Sequence, residues 1–207
     1  MTDDSAPIQS ICVYCGSSPG RDEIYAKAGH LLGRSLAKSG LRLVYGGGTK
    51  GIMGAVAGGA LKAGGKVTGI IPRFLINKEA TETVLDRLDE LLITDNMHER
   101  KHKMFEKSDA FVALPGGIGT VEEIVEVMTW GQLGHHRKPI VFGNVNGFWD
   151  PMLSLLDHMA AEGFIHTAKR VQPLVINDPE AIVAAIMVAG SSVDAPTEGM
   201  QSVIDKM

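Results

Sequence analysis

The stretch Ala110-Phe111-Val112-Ala113-Leu114 is continuously apolar. Pro115-Gly116-Gly117-Ile118-Gly119-Thr120 follows at once, and then Val121-Glu122-Glu123-Ile124-Val125. An apolar run of this length, closed by a Pro-Gly turn, reads as a strand buried on both faces. The segment Thr120 to Leu133 carries Val121, Ile124, Val125 and Met128 at i, i+3, i+4 and i+7. That is the stripe of an amphipathic helix packed on a sheet, and it points Glu123 away from the sheet. The same strand–turn–helix unit recurs on either side. Strands are expected at Ser10 to Tyr14, Arg42 to Tyr45, Val67 to Ile71, Leu91 to Thr94, Pro139 to Phe142 and Leu174 to Ile176. Helices are expected at Asp22 to Ser39, Gly51 to Ala63, Met97 to Lys107, Phe148 to Ala161 and Pro179 to Val188. Alternation of this kind predicts an α/β fold: a single doubly wound, Rossmann-like parallel sheet with helices on both faces. In such sheets ligands bind beyond the carboxyl ends of the strands, so the residues that follow each strand are the functional candidates.

Composition limits the rest. The chain has 207 residues, 44% hydrophobic and 21% charged, with a net charge of -4. Residues 1–189 read as one nucleotide-binding α/β domain. Residues 190–207 lose the periodicity and read as a flexible tail. An acidic chain argues against a nucleic-acid partner. The longest apolar run near the end, Ala181 to Ala189, is too short to span a bilayer. The first residues, Met1-Thr2-Asp3-Asp4-Ser5, lack the pattern of a secretory leader. Two cysteines, Cys12 and Cys15, make no disulfide framework, and a reducing cytoplasm is the expected location. Their spacing along one strand puts them on opposite faces, which argues against a redox pair. Glycine is over-represented: there are 25, ten of them from Gly46 to Gly69.

The strand ends supply four candidate elements. After the first strand, Cys15-Gly16-Ser17-Ser18 offers hydroxyls and N–H groups to an anion. After the second, Gly46-Gly47-Gly48-Thr49-Lys50-Gly51 contains G-x-G-x-x-G. A dinucleotide site would want a carboxylate at the end of the following strand, and Ile70-Ile71-Pro72-Arg73 has none. What remains is a glycine loop opening a helix, which favours a phosphate. Pro115 to Thr120 is a second such loop, and two loops from neighbouring strands would flank one phosphorylated ligand. The fourth element is Asp95-Asn96-Met97-His98-Glu99-Arg100-Lys101-His102-Lys103-Met104. Asn96 and Glu99 have capping-box spacing. Arg100 and Lys101 share an arc with Met97 and Met104, and an inward arginine needs an anionic partner, either a ligand phosphate or Glu123. His98 and His102 lack the third ligand of a metal site. By position alone, Glu123 reads equally as an acidic first turn or as a carboxylate aimed at a ligand.

Met97-x-x-Arg100-Lys101 followed by Pro115-Gly116-Gly117-x-Gly119-Thr120-x-x-Glu123 resembles the LONELY GUY family, phosphoribohydrolases of cytokinin riboside 5'-monophosphates that are often labelled lysine decarboxylases. The resemblance runs from the Cys15-Gly16-Ser17-Ser18 turn through Tyr45-Gly46-Gly47-Gly48 to the helix of Trp130. Thr49-Lys50 in the first glycine loop departs from it. It implies hydrolysis of the N-glycosidic bond of a nucleoside 5'-monophosphate to free base and ribose 5-phosphate, with no metal or organic cofactor. It implies Arg100 and Glu123 as catalytic residues, Glu79 on the base side, and Gly116, Gly117, Gly119 and Thr120 as the glycine loop, with Glu122 and Thr129 nearby. Together with Ser17, Ser18, Gly46, Gly47, Gly48, Met97, Lys101 and Pro115, these make up the expected substrate site.

The chemistry accords with the residues. Cleaving a C1'–N bond builds positive charge on the ribose, which a carboxylate stabilises while it orients or deprotonates water. Arg100 either assists the departing base or holds Glu123 ionised and aimed. Rival readings are an AMP-preferring nucleosidase of the same chemistry, a non-catalytic nucleotide-binding module, and a pyridoxal-phosphate decarboxylase, for which no lysine has a suitable context. Val127, Trp130 and Leu133 are expected on the helix face away from the sheet, where they would form a homodimer interface, as the resemblance also implies.

Overall fold

Seven strands form one parallel sheet in the order β4-β3-β2-β1-β5-β6-β7: β1 (Ser10–Tyr14), β2 (Arg42–Tyr45), β3 (Val67–Pro72), β4 (Glu90–Thr94), β5 (Ala110–Ala113), β6 (Ile140–Gly143) and β7 (Leu174–Ile176). The structure, a computed structural model, describes residues 7–79, 85–165 and 172–193. The longer helices among them are α1 (Glu23–Lys38), α2 (Gly51–Lys62), α3 (Met97–Glu106), α4 (Ile118–Gln132), α5 (Asp150–Ala161) and α6 (Ile182–Val193). The element pattern expected from the sequence is therefore observed. The last helix starts three residues later than expected and runs on to Val193, so it takes in Gly190. The remainder of the expected tail, 194–207, lies outside the described residues.

The strands are uninterrupted apolar runs because helices cover both faces. On one face Ile11, Val13, Leu43 and Tyr45 pack with Leu32 and Leu36 of α1, Val56 of α2 and Ile186 of α6. On the other, Cys12, Tyr14, Val44, Phe111 and Phe142 pack with Met104 of α3, Ile124 and Val127 of α4, and Trp149. Cys12 and Cys15 fall in different clusters, as their spacing requires, and both are free and buried. Part of the glycine excess serves helix packing rather than a ligand. A Cβ on Gly33 of α1 would meet the Val56 carbonyl at 2.0 Å, and one on Gly59 of α2 would meet the His30 carbonyl at 2.2 Å.

Two expectations are corrected here. The β2 and β5 loops are not neighbours, because β1 pairs with both strands and lies between them. The chain winds outward one way through β2, β3 and β4, and the other way through β5, β6 and β7. The topological switch point, where a crevice opens, is therefore between β1 and β5. The second correction concerns α4. Its buried residues are Thr120, Glu123, Ile124, Val127 and Gly131, so the inward stripe is turned from the one that Val121, Val125 and Met128 suggested. Glu123 faces inward and Val127 is core. Trp130 packs edge-on against Phe105, with ring centroids 4.8 Å apart, and Leu133 alone of the three expected interface residues is exposed.

Candidate active site

The crevice at the switch point is a cleft of about 280 Å³. Its floor is Tyr14, Cys15 and Gly16 at the end of β1, one wall is Arg100 and Met104 of α3, and the other is Gly117 to Thr120 and Glu123 of α4. Gly46, Met53 and Ser17 complete it. A smaller recess, lined by Ser18, Pro115 and Gly116, adjoins it and shares Gly16, Ser17 and Gly117.

The N-terminus of α4 opens into this cleft. Gly117 is the N-cap, and no side chain caps it. The Val121 N–H donates to the Gly117 carbonyl at 3.1 Å, the i to i−4 bond that opens the helix. The N–H groups of Ile118, Gly119 and Thr120 precede it and have no place in the helical ladder, so they face the crevice as donors backed by the helix dipole. Gly117 and Gly119 keep the approach open, since a Cβ at either would touch nothing within 4 Å. The Thr120 side chain, itself buried, packs over Gly116. These are the features of an anion seat.

The first glycine loop does something different. The Gly16 carbonyl accepts the N–H groups of Ile52 at 3.0 Å and Met53 at 3.2 Å, so a peptide oxygen of the β1 turn caps α2 where a phosphate was expected. This close approach explains Gly51, whose φ is +58° and whose Cβ would lie 2.4 Å from the Ser17 backbone. Only Gly46 of this loop lines the cleft. A Cβ there would stand 2.0 Å from Nη2 of Arg100.

Arg100 is held on several sides. Nε donates to the Ile70 carbonyl at 3.2 Å and Nη2 to the Gly46 carbonyl at 3.4 Å. Nη1 lies 3.5 Å from Oε1 of Glu123, with the two side chains 7% and 10% exposed. Of the two partners expected for this arginine, the protein itself provides Glu123. Asn96 starts α3 by accepting the Glu99 N–H at 2.9 Å, but Glu99 reaches back to the Asp95 N–H, so the box is offset by one residue. Beneath the pair, burial pushes the Cys12 and Cys15 thiols and the Tyr14 phenol up, and the nearby Glu123 carboxylate adds to it in each case. All three stay protonated and un-ionised near neutral pH.

The other expected site residues whose side chains are described lie outside the cleft lining. Gly47 abuts Ile71, and Gly48 abuts Met53. Met97 touches Arg100 through its sulfur, 3.8 Å from Nη1. Lys101 turns sideways to α4, where Nζ bonds Glu122 and also Glu126, the latter at 3.1 Å. Thr129 donates to the Val125 carbonyl at 2.8 Å and borders a separate groove between α4 and α5. The side chain of Glu79 lies outside the described residues. Tyr14, Met53, Met104 and Ile118 line the cleft without having been expected there. Tyr14 was legible as the last residue of a strand at the sheet's centre, had the strand order been known.

Comparison with known proteins adds to this geometry. The family model described as "Possible lysine decarboxylase" matches residues 53–186. A Rhodococcoides fascians protein named cytokinin riboside 5'-monophosphate phosphoribohydrolase is 47% identical over 86% of this chain and 89% of its own. The protein of that name from Oryza sativa subsp. japonica is 46% identical over 83% of this chain and 69% of its own. Among solved structures, a molybdenum cofactor carrier protein from Chlamydomonas reinhardtii superposes with a TM-score of 0.65 over 89% of this chain and 99% of its own. At 20% identity this likeness speaks to fold alone.

Proposed function

The chain belongs to the LONELY GUY family of cytokinin riboside 5'-monophosphate phosphoribohydrolases, and from that premise we propose how its own residues carry the reaction. The enzyme hydrolyses the N-glycosidic bond of a nucleoside 5'-monophosphate. Water adds to C1' of the ribose, the base leaves with the bonding electron pair and gains a proton, and ribose 5-phosphate remains. The α4 N-terminus, with Ser17 and Thr120, receives the 5'-phosphate, and this remote contact positions the sugar. Glu123, deeper in the same cleft, stabilises the positive charge that develops at C1' and orients or deprotonates the attacking water.

The single observation that carries this reading is the buried Arg100–Glu123 pair in the cleft onto which the α4 N-terminus opens. Arg100 has its Nε and Nη2 on backbone carbonyls and its Nη1 beside Glu123. That favours the role of holding the carboxylate ionised and aimed over direct protonation of the base. A decarboxylase acting through pyridoxal phosphate would need a Schiff-base lysine. Among the described residues lining the cleft there is none, and Lys101 is engaged by Glu122 and Glu126.

The test is a panel of nucleoside monophosphates, including AMP and isopentenyladenosine monophosphate, scored by chromatography for released base. Release of base with equimolar ribose 5-phosphate is expected, and the ratio between the two substrates separates a cytokinin enzyme from an AMP-preferring one. Binding of nucleotide without release of base would make the chain a nucleotide-binding module instead. A homodimer accords with the groove of about 630 Å³ between α4 and α5, bordered by Val125, Met128, Leu153, Leu156 and Met159. Light scattering should give twice the 22.1 kDa chain mass.

A further inference from the structure

We propose that Lys101 is a positioning residue, a brace that fixes α3 against α4 and so sets the distance between Arg100 and Glu123. The inference rests on the catalytic reading of that pair given above. The geometry begins with adjacency. Lys101 follows Arg100 on α3, and Glu122 precedes Glu123 on α4, so the lysine contact and the arginine contact join the same two turns of the same two helices. Nζ of Lys101 bonds Glu122 and Glu126, which are one helical turn apart, and a single cation thus grips α4 at two points. The lysine side chain is only 14% exposed.

The arginine contact does not fix the spacing by itself. At 3.5 Å it is looser than a charge-assisted hydrogen bond, which runs about 2.7–2.9 Å. The backbone carbonyls of Ile70 and Gly46 anchor Arg100 to the sheet, not to α4. Farther along the helices, Phe105 packs on Trp130, which aligns their distal parts. At the level of the site the lysine fork is a second polar tie between them, beside the Arg100–Glu123 contact. Partial burial pulls the Lys101 ammonium toward its neutral form, but the two carboxylates outweigh this and hold it charged.

The alternative role for Lys101 is as a ligand of the substrate phosphate, and kinetics separates the two. Steady-state kinetics on AMP would compare wild type, Lys101→Met, Lys101→Arg, the double variant Glu122→Gln/Glu126→Gln, and the triple combination, with circular dichroism on each. A brace predicts a fall in kcat of about tenfold in Lys101→Met with KM changed less than threefold. It predicts substantial rescue in Lys101→Arg, a similar fall in the glutamine double variant, and no additional loss in the triple, the signature of one shared interaction. A phosphate ligand would instead raise KM in Lys101→Met, and the glutamine variants would not reproduce the effect; that result overturns the proposal. So does unchanged kcat in Lys101→Met. If Lys101→Met fails to fold, the glutamine double variant alone decides: a kcat loss supports the brace, and wild-type kcat removes it. An inactive wild type would count against the hydrolase reading, not against the brace alone.

Discussion

Nη1 of Arg100 and Oε1 of Glu123 stand 3.5 Å apart at the base of the cleft, and each side chain is about nine-tenths hidden from solvent. A buried carboxylate beside a buried guanidinium is a stable arrangement only while both are present, because either charge left alone is costly to keep out of water. The pair is thus a unit, and its two members should fail together.

Glu123→Gln keeps the shape and removes the charge. Base release from AMP should fall about a hundredfold or more, the range typical of acid–base groups, while circular dichroism stays unchanged. Arg100→Ala should match that loss and also lower stability, since it strands Glu123. Chromatographic assay of free base and a thermal melt check both.

Gly46→Ala adds one methyl group 2.0 Å from Nη2 of Arg100. The arginine must move, and the carboxylate loses its partner geometry. We expect kcat to fall at least tenfold with nucleotide binding retained. Gly58→Ala, on α2 and outside the cleft, where a Cβ would meet nothing within 4 Å, is the control for adding a methyl group to a glycine, and its kcat should stay within a few-fold of wild type.

Thr120→Val conserves volume and deletes a hydroxyl at the anion seat. If that hydroxyl meets the phosphate, KM for AMP should rise about tenfold, in keeping with one hydrogen bond to a charged group, while kcat changes little. Adenosine, which has no phosphate, should be turned over poorly by both proteins and should not distinguish them.

Acid sensitivity follows from Glu90. Lys107 bonds its Oε1 at 2.9 Å and Thr68 its Oε2 at 3.0 Å, and the Lys107 bond leads in holding this carboxyl below its usual range. A carboxyl whose pKa is depressed by folding stabilises the fold above its unfolded pKa, and that contribution is lost as pH falls through the folded value. Lys107→Ala should therefore be less stable than wild type in urea at pH 7, and the difference should shrink below about pH 4. A difference that persists unchanged into acid would point to packing of the lysine stem instead.

Much of this fold can be read along the chain because a parallel sheet makes its strands uniformly apolar. β1, β2 and β7 lie where the sequence puts them, and no end of the other strands differs by more than one residue. The order of the strands cannot be read that way, since no local feature records that β1 sits between β2 and β5. For that reason the sequence alone groups Gly47 and Gly48 with the phosphate candidates and leaves out Tyr14, whereas the cleft is lined by Tyr14 and by neither glycine. Arg100 and Glu123 are both candidates from the sequence and both line the cleft, and the inward arc of α3 singles out the arginine. The inward face of α4 is not the one its valines suggest, because it carries Glu123 with Thr120, Ile124 and Val127. Glu123 turns in because Arg100 meets it, a pairing between elements that a helical wheel does not contain.

The capping of α2 by the Gly16 carbonyl makes the cleft floor and the start of α2 one mechanical piece. Both bonds end on a main-chain oxygen, so no side-chain truncation deletes the acceptor, and a substitution that displaces the β1 turn must carry the head of α2 with it.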